Sequence, residues 1–127
     1  MEEGVRDAAA LYQSLVESIP QCVFRKDMEG RYVYVNRQLC KMMGKRPEDF
    51  LGKTDFDVNV PALAEKYRAD DQNVMKSQKT FEETEDLKPK GRKKSVRIHI
   101  TKTPVYDSKG RVVGVQGIFW PEPKAPG

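Results

Sequence analysis

Over the first twenty residues the apolar side chains recur at intervals of three and four: Ala8, Leu11, Tyr12, Leu15 and Ile19. That spacing draws one stripe along a helix, with Asp7 placed to cap it and Pro20 to end it. The rhythm then shortens. Cys22–Lys26 and Arg31–Val35 are rich in β-formers, and Asp27-Met28-Glu29-Gly30 between them predicts a hairpin in which Gly30 takes a positive φ. Asn36 is placed to cap a short helix carrying Leu39, Met42 and Met43, which Gly44 ends. Pro47, Gly52 and Pro61 allow only short turns from Arg46 to Val60, anchored by Phe50, Leu51, Phe56 and Val58. A longer helix follows from about Pro61 to Ser77, with Leu63, Tyr67 and Val74 on one stripe and Asp70 as an acid on the same side. Three strands complete the pattern: Thr80–Leu87, Ser95–Val105 and Arg111–Trp120.

Two strands, several helices and three strands predict an α+β domain, an antiparallel sheet with helices packed on one face. Strand alternation places Val33, Val35, Val96, Ile98, Ile100, Val115, Gly117 and Phe119 on that face, opposite Leu39, Met42, Met43, Phe56, Tyr67 and Val74 from the helices. With Phe24 and without Val96, these residues are the candidate ligand pocket: Gly117 leaves room and methionines adapt to irregular contents. Tyr32 and Tyr34 are expected on the other face. Beside the helical stripe of Leu11, Tyr12, Leu15 and Ile19 they make a candidate dimer interface.

Composition narrows the classes of function. The chain has 127 residues, 38% hydrophobic and 33% charged, which suits one soluble globular domain. No apolar run approaches the roughly 18 residues of a membrane span, and Met1-Glu2-Glu3 does not start a signal peptide, so a cytoplasmic domain without membrane contact is expected. Cys22 and Cys40 have no partner cysteines or histidines at metal-ligand spacing, so they read as two buried thiols, with no metal. The net charge of +4 draws attention to Lys88, Lys90, Arg92, Lys93 and Lys94. Glu82, Glu83, Glu85 and Asp86 precede them, and a hairpin would set these acids against Lys93, Lys94 and Arg97, so a solvated hairpin is expected rather than a nucleic-acid surface. The single histidine, His99, alternates with Ile98 and Ile100 and should face outward. Asp70 and Asp71 diverge by about 100° on their helix, poor geometry for a shared acid and base, so no catalytic constellation stands out and the chain is not read as an enzyme. Asp70 is expected to accept hydrogen bonds that hold the helix.

Several phrases in this order resemble the PAS sensory domains over residues 11–120. They are Asp27-x-x-Gly30-Arg31-Tyr32-x-Tyr34-x-Asn36, Gly44, Pro47-Glu48-Asp49-Phe50-Leu51-Gly52-Lys53-Thr54-Asp55, Tyr67-Arg68-Ala69-Asp70-Asp71 and Asp107-x-x-Gly110-Arg111-Val112-x-Gly114-x-x-Gly117. The resemblance implies a five-stranded antiparallel sheet in the order 2-1-5-4-3, helices on one face around a small-molecule pocket, and an N-terminal capping helix. It divides the chain into an N-terminal helix (1–20), the PAS domain (21–120) and a Pro-rich tail or linker (121–127). It implies a bacterial sensory module that forms a homodimer and controls an output domain in the same chain, a two-component histidine kinase being the expected context. The alternative is a pure dimerisation or docking module with a packed core. No cofactor is certain, and the expected ligand is a small apolar or carboxylate molecule. Relatives that bind haem use a histidine on the long helix, and flavin sensors place a reactive cysteine in the segment that begins here at Gly52. Neither residue is present in those places, so haem and flavin are not expected. The family's frequent closing Asp-Ile-Thr-like triplet is replaced by Ile118-Phe119-Trp120-Pro121.

Overall fold

A computed structural model describes residues 2–88, 91 and 93–123. Helix α1 (Glu2–Ser18) leads into strands β1 (Cys22–Asp27) and β2 (Tyr32–Val35). Helix α2 (Arg37–Met43), a 3-10 turn (Pro47–Asp49), helix α3 (Asp55–Val58) and helix α4 (Pro61–Ser77) follow, then strands β3 (Phe81–Leu87), β4 (Val96–Tyr106) and β5 (Val112–Pro121). The strands form one antiparallel sheet in the order β2-β1-β5-β4-β3, as the resemblance implies. β5 extends one residue into the segment read as tail, because Pro121 pairs with Ile98 and the Glu122 amide donates to the Arg97 carbonyl. Pro89, Lys90 and Arg92 of the basic loop and residues 124–127 of the tail lie outside the described residues.

The two similar turn phrases fold alike. Asp27 Oδ1 accepts from the amides of Glu29 and Arg31 and its Oδ2 from Arg31 Nε, and Asp107 repeats the pattern with Lys109 and Arg111. The glycine of each turn takes the positive φ this closure needs, 86° at Gly30 and 78° at Gly110. Asn36 does more than cap α2. Its Oδ1 accepts from the amides of Val23 and Leu39, and its Nδ2 donates to the carbonyls of Val16 and Gln21. All four of its hydrogen-bonding positions are thereby used, tying α1, β1 and α2 together.

A bulge in the β1–β2 pair changes which side chains point inward. Arg25 pairs with Tyr34 but Lys26 with Tyr32, so Val33 is the extra residue and strict alternation fails. Tyr32 is therefore buried in the core and not on the outer face, while Val33, expected in the pocket, is 51% exposed. Phe56 also departs from expectation: as the second residue of the four-residue α3 it is 48% exposed, whereas Asp55 and Val58 turn inward. Val96, at the start of β4, is exposed as well.

β1 and β5 approach closely enough to require glycines. A Cβ on Gly117 would come within 2.5 Å of the Phe24 ring, so Phe24 fills the space that this glycine leaves. A Cβ on Gly114 would collide with the backbone carbonyl of Lys26, which cannot rotate away. Gly114→Ala is expected to lower the unfolding free energy by about 3 kcal/mol, the upper end of overpacking costs, as measured by chemical denaturation.

Candidate functional site

Between the sheet and helices α2–α4 lies a cavity of about 40 Å³, room for about three water molecules. Phe24, Tyr32, Leu39, Met43, Phe50, Tyr67, Leu87, Ile98, Ile100 and Phe119 supply its apolar wall, and Lys26, Asp55, Asn59, Glu85 and Lys102 its polar one. Of the residues expected there, Phe24, Leu39, Met43, Tyr67, Ile98, Ile100 and Phe119 line it. Val35, Val74, Val115 and Gly117 are buried elsewhere, and Met42 packs against Cys22, whose Sγ lies 3.5 Å from its Sδ.

The polar wall is a charge cluster that hydrophobic periodicity does not reveal. Lys26 continues the inward series of Cys22 and Phe24 on β1, and Lys102 continues that of Ile98 and Ile100 on β4. Both ammonium groups meet Asp71, which is fully buried on α4: Lys26 Nζ donates to its Oδ2 and Lys102 Nζ to its Oδ1, each at 2.8 Å. Lys26 also donates to Asp55 Oδ2 at 2.5 Å, and the Tyr32 hydroxyl donates to Asp55 Oδ1 at 2.6 Å. The inward face of α4 is Ala64, Tyr67, Asp71 and Val74, one residue out of step with the stripe that runs through Asp70. Asp70 instead accepts from Lys66 on the same helix at 2.8 Å.

The protonation states follow from these contacts. Burial opposes ionisation of Asp71, but the ammonium groups of Lys26 and Lys102 outweigh it and hold the carboxyl below its usual value of 3.8. Burial likewise opposes the charge on Lys26, and Asp55 and Asp71 reverse it, raising Lys26 above its usual 10.5. Burial drives up the Tyr32 hydroxyl, with Asp55 adding to the effect, so Tyr32 keeps the proton that it donates to Asp55. Above the aromatic faces of Phe24 and Tyr32, at 5.0 Å from each ring centre, the Lys26 ammonium gains further attraction.

At the edge of the cavity Lys66 Nζ lies 2.8 Å from Asp70, Glu83 and Glu85. Among the described residues these three carboxylates are the group close enough to share a cation, and the lysine ammonium stands among them. β3 and β4 pair as expected, with Arg97 3.3 Å from Asp86, but the acids Glu83 and Glu85 are met by Lys66 from α4 rather than by Lys93 or Lys94. Cys22 and Cys40 are buried free thiols, and burial pushes Cys22 up to about 12. His99 faces outward, stacked on Trp120 with ring centres 5.8 Å apart.

On the outer face α1 is fastened mainly at its C-terminal end. Val16 is buried, Glu17 accepts from the Tyr34 hydroxyl and the Arg37 amide, and Tyr12 accepts from Arg25. Leu11 and Leu15 stand 72% and 63% exposed, Tyr12 is 51% exposed, and Ile19 is half-buried. Tyr12, Leu15, Val16 and Ile19 line a groove of about 300 Å³ against Val23, Thr101, Thr103, Gln116 and Ile118 of the sheet. Of the six residues expected at an interface, Tyr32 alone lies on the opposite side of the sheet.

Removing one member of the cluster strands the others. Asp71→Asn is expected to cost about 3–5 kcal/mol, because two buried ammonium groups lose their shared counter-charge. The sign of the pH dependence follows from the depressed pKa of Asp71: its contribution is complete above the unfolded value near 3.8 and is lost as pH falls through the lower folded value. Denaturation curves across acid pH should show this loss in the wild type and a shallower one in Asp71→Asn.

Comparison with known proteins places this architecture. The chain is 25% identical over 117 residues to the C4-dicarboxylate transport sensor protein DctS of Rhodobacter capsulatus, covering 91% of this chain and 18% of that protein. It is 27% identical over 107 residues to the methanogenesis regulatory histidine kinase FilI of Methanothrix harundinacea, covering 84% of this chain and 12% of that one. Among solved structures, VqmA of Vibrio cholerae superposes with a TM-score of 0.77 at 25% identity, covering 87% of this chain and 51% of VqmA. The PAS domain of Bordetella pertussis BvgS has the same fold, with a TM-score of 0.76 at 23% identity over 93% of this chain and 88% of that one. The family model for the PAS fold matches residues 16–121, and with the sheet order this establishes that the chain belongs to the PAS fold family.

Proposed function

We propose that this domain is the sensory module of a larger signalling protein, in which a small molecule in the central cavity controls an output domain on the same chain. The observation that carries the reading is the buried charge cluster, of which Lys26, Asp55 and Lys102 line the cavity. Lys26, Asp55, Asp71 and Lys102 are each at most 3% exposed, and apolar residues of similar volume would stabilise a core at least as well. Such a cluster is suited to chemical discrimination. The relatives support the context: DctS is named a sensor and FilI a regulatory histidine kinase, and this chain spans less than a fifth of either. A structure of VqmA is described as bound to DPO, a precedent for ligand binding by a protein that carries this fold.

In this reading the domain does not catalyse a reaction. No helix among the described residues is long and apolar enough to cross a membrane, and we assign the domain to the cytoplasm. Strand β1 offers the route from cavity to surface. Lys26 faces the cavity, while its neighbour Arg25 faces outward and donates to Tyr12 of α1 and to Gln116 of β5. A ligand that binds the two packings of β1 unequally would shift α1 by that difference in affinity.

The exposed Leu11 and Leu15 favour a homodimer formed through α1, and this contact would carry the output. Analytical ultracentrifugation should then find a dimer that Leu11→Glu with Leu15→Glu converts to a monomer of unchanged circular dichroism. A wild-type monomer at all concentrations would contradict the dimer. The sensory reading is tested by native mass spectrometry of the purified domain before and after denaturation, together with thermal shifts against a metabolite extract. A released small molecule at one per chain, or a fraction that raises the midpoint, is the expected result. An empty chain that no fraction stabilises would favour a packed docking module.

A further inference from the structure

Two oxygens on buried, cavity-lining residues accept no hydrogen bond from the protein: Asn59 Oδ1 and Glu85 Oε1. Asn59 is 2% and Glu85 7% exposed, so bulk water does not satisfy them, and an unmet buried acceptor is costly. Neither group is free to turn. Asn59 Nδ2 donates to Asp55 Oδ1 at 3.2 Å, and flipping the amide would set its oxygen against that carboxylate. The other oxygen of Glu85 is held by Lys66 at 2.8 Å. The wall thus presents two fixed acceptors.

Its positive charges are already matched. Lys26 lies between Asp55 and Asp71, Lys102 on Asp71, and Lys66 on Glu85 and its neighbours. A carboxylate entering this space would meet no ammonium lacking its own counter-charge, and would bring a negative charge towards Asp55 and Glu85. A neutral donor meets no such penalty. Lys102, with three N–H groups and one hydrogen-bonded acceptor, retains donors for a carbonyl oxygen.

We infer that the cavity takes a small uncharged molecule whose N–H or O–H groups donate to Asn59 Oδ1 and Glu85 Oε1, a carboxamide or lactam in preference to a carboxylate. The inference rests on the sensory reading above and specifies its ligand class. Asn59, the C-cap residue of α3, and Glu85, inward on β3, are then specificity-determining residues.

Acetamide and acetate have the same shape and differ in donors and charge, and their four heavy atoms suit the volume of the cavity. The test titrates each into the ¹⁵N-labelled domain at neutral pH, following the Asn59 side-chain amide and the backbone amides of residues 59, 85 and 102. The expected result is an acetamide Kd about tenfold or more below that of acetate. Acetate binding equally well or better would overturn the ligand class and leave the sensory cavity standing. Perturbation of these signals by neither probe would count against both. Glu85→Gln supplies a second readout. Its amide oxygen should face Lys66 and its NH₂ the cavity, so the preference for acetamide should shrink or reverse. A folded Glu85→Gln domain with the wild-type preference would remove Glu85 from the inference. If that variant fails to fold, the wild-type ranking decides.

Discussion

One carboxylate bridging two ammonium groups organises this domain. Asp71 on α4 receives Lys26 from β1 and Lys102 from β4, so the long helix is registered against two strands that are not neighbours in the sheet. Asp55 shares Lys26 and extends the same chain of contacts to α3 and, through Tyr32, to β2. Because the hydrogen bonds are short and the groups are out of water, small displacements of any one element are resisted strongly. The geometry of the cavity follows from that arrangement.

The two faces of the sheet serve different ends. On the inner face the apolar ring of Phe24, Phe50, Phe119 and the isoleucines supplies burial, while the charge cluster and the two unmet acceptors supply chemistry. The outer face carries α1, which is tied by Asn36 and Glu17 at one end and leaves leucines exposed along its length. β1 belongs to both faces, since its bulged pairing with β2 puts Lys26 and Tyr32 inside together while Arg25 reaches α1. A buried charge pair is weak evidence of stabilisation. Its place at the wall of a cavity gives it a reason to exist.

Much of this was legible in the sequence, and what was not has a common cause. The paired Asp-x-x-Gly-Arg turns, Asn36, Gly44 and the strand alternation of Ile98, Ile100 and Phe119 specified element order and the apolar wall. Hydrophobic periodicity assigns polar residues to solvent and so does not reveal Lys26 and Lys102, although each stands at the next inward position of its strand. The stripe read through Leu63 and Tyr67 carries Asp70, whereas the buried face through Ala64 and Tyr67 selects Asp71. Tyr32 and Val33 exchanged sides because a bulge breaks the two-residue period, and sequence carries no strong mark of it. Phe56 lies on a helix of one turn, too short for a stripe to define an inner face.

The proposed sensory role assigns the cluster to the cavity's chemistry and not to stability. Replacing it as a unit separates the two: Lys26→Met, Asp55→Asn, Asp71→Leu and Lys102→Met in one chain, with unfolding free energy and acetamide binding measured on the same protein. The sensory role predicts a folded domain with stability within about 2 kcal/mol of wild type or above it, and acetamide binding weakened about tenfold or more, because the Lys102 donors and the Asp55 carboxylate that holds the Asn59 amide are gone. A chain that fails to fold, or one that folds and binds acetamide as the wild type does, would contradict it.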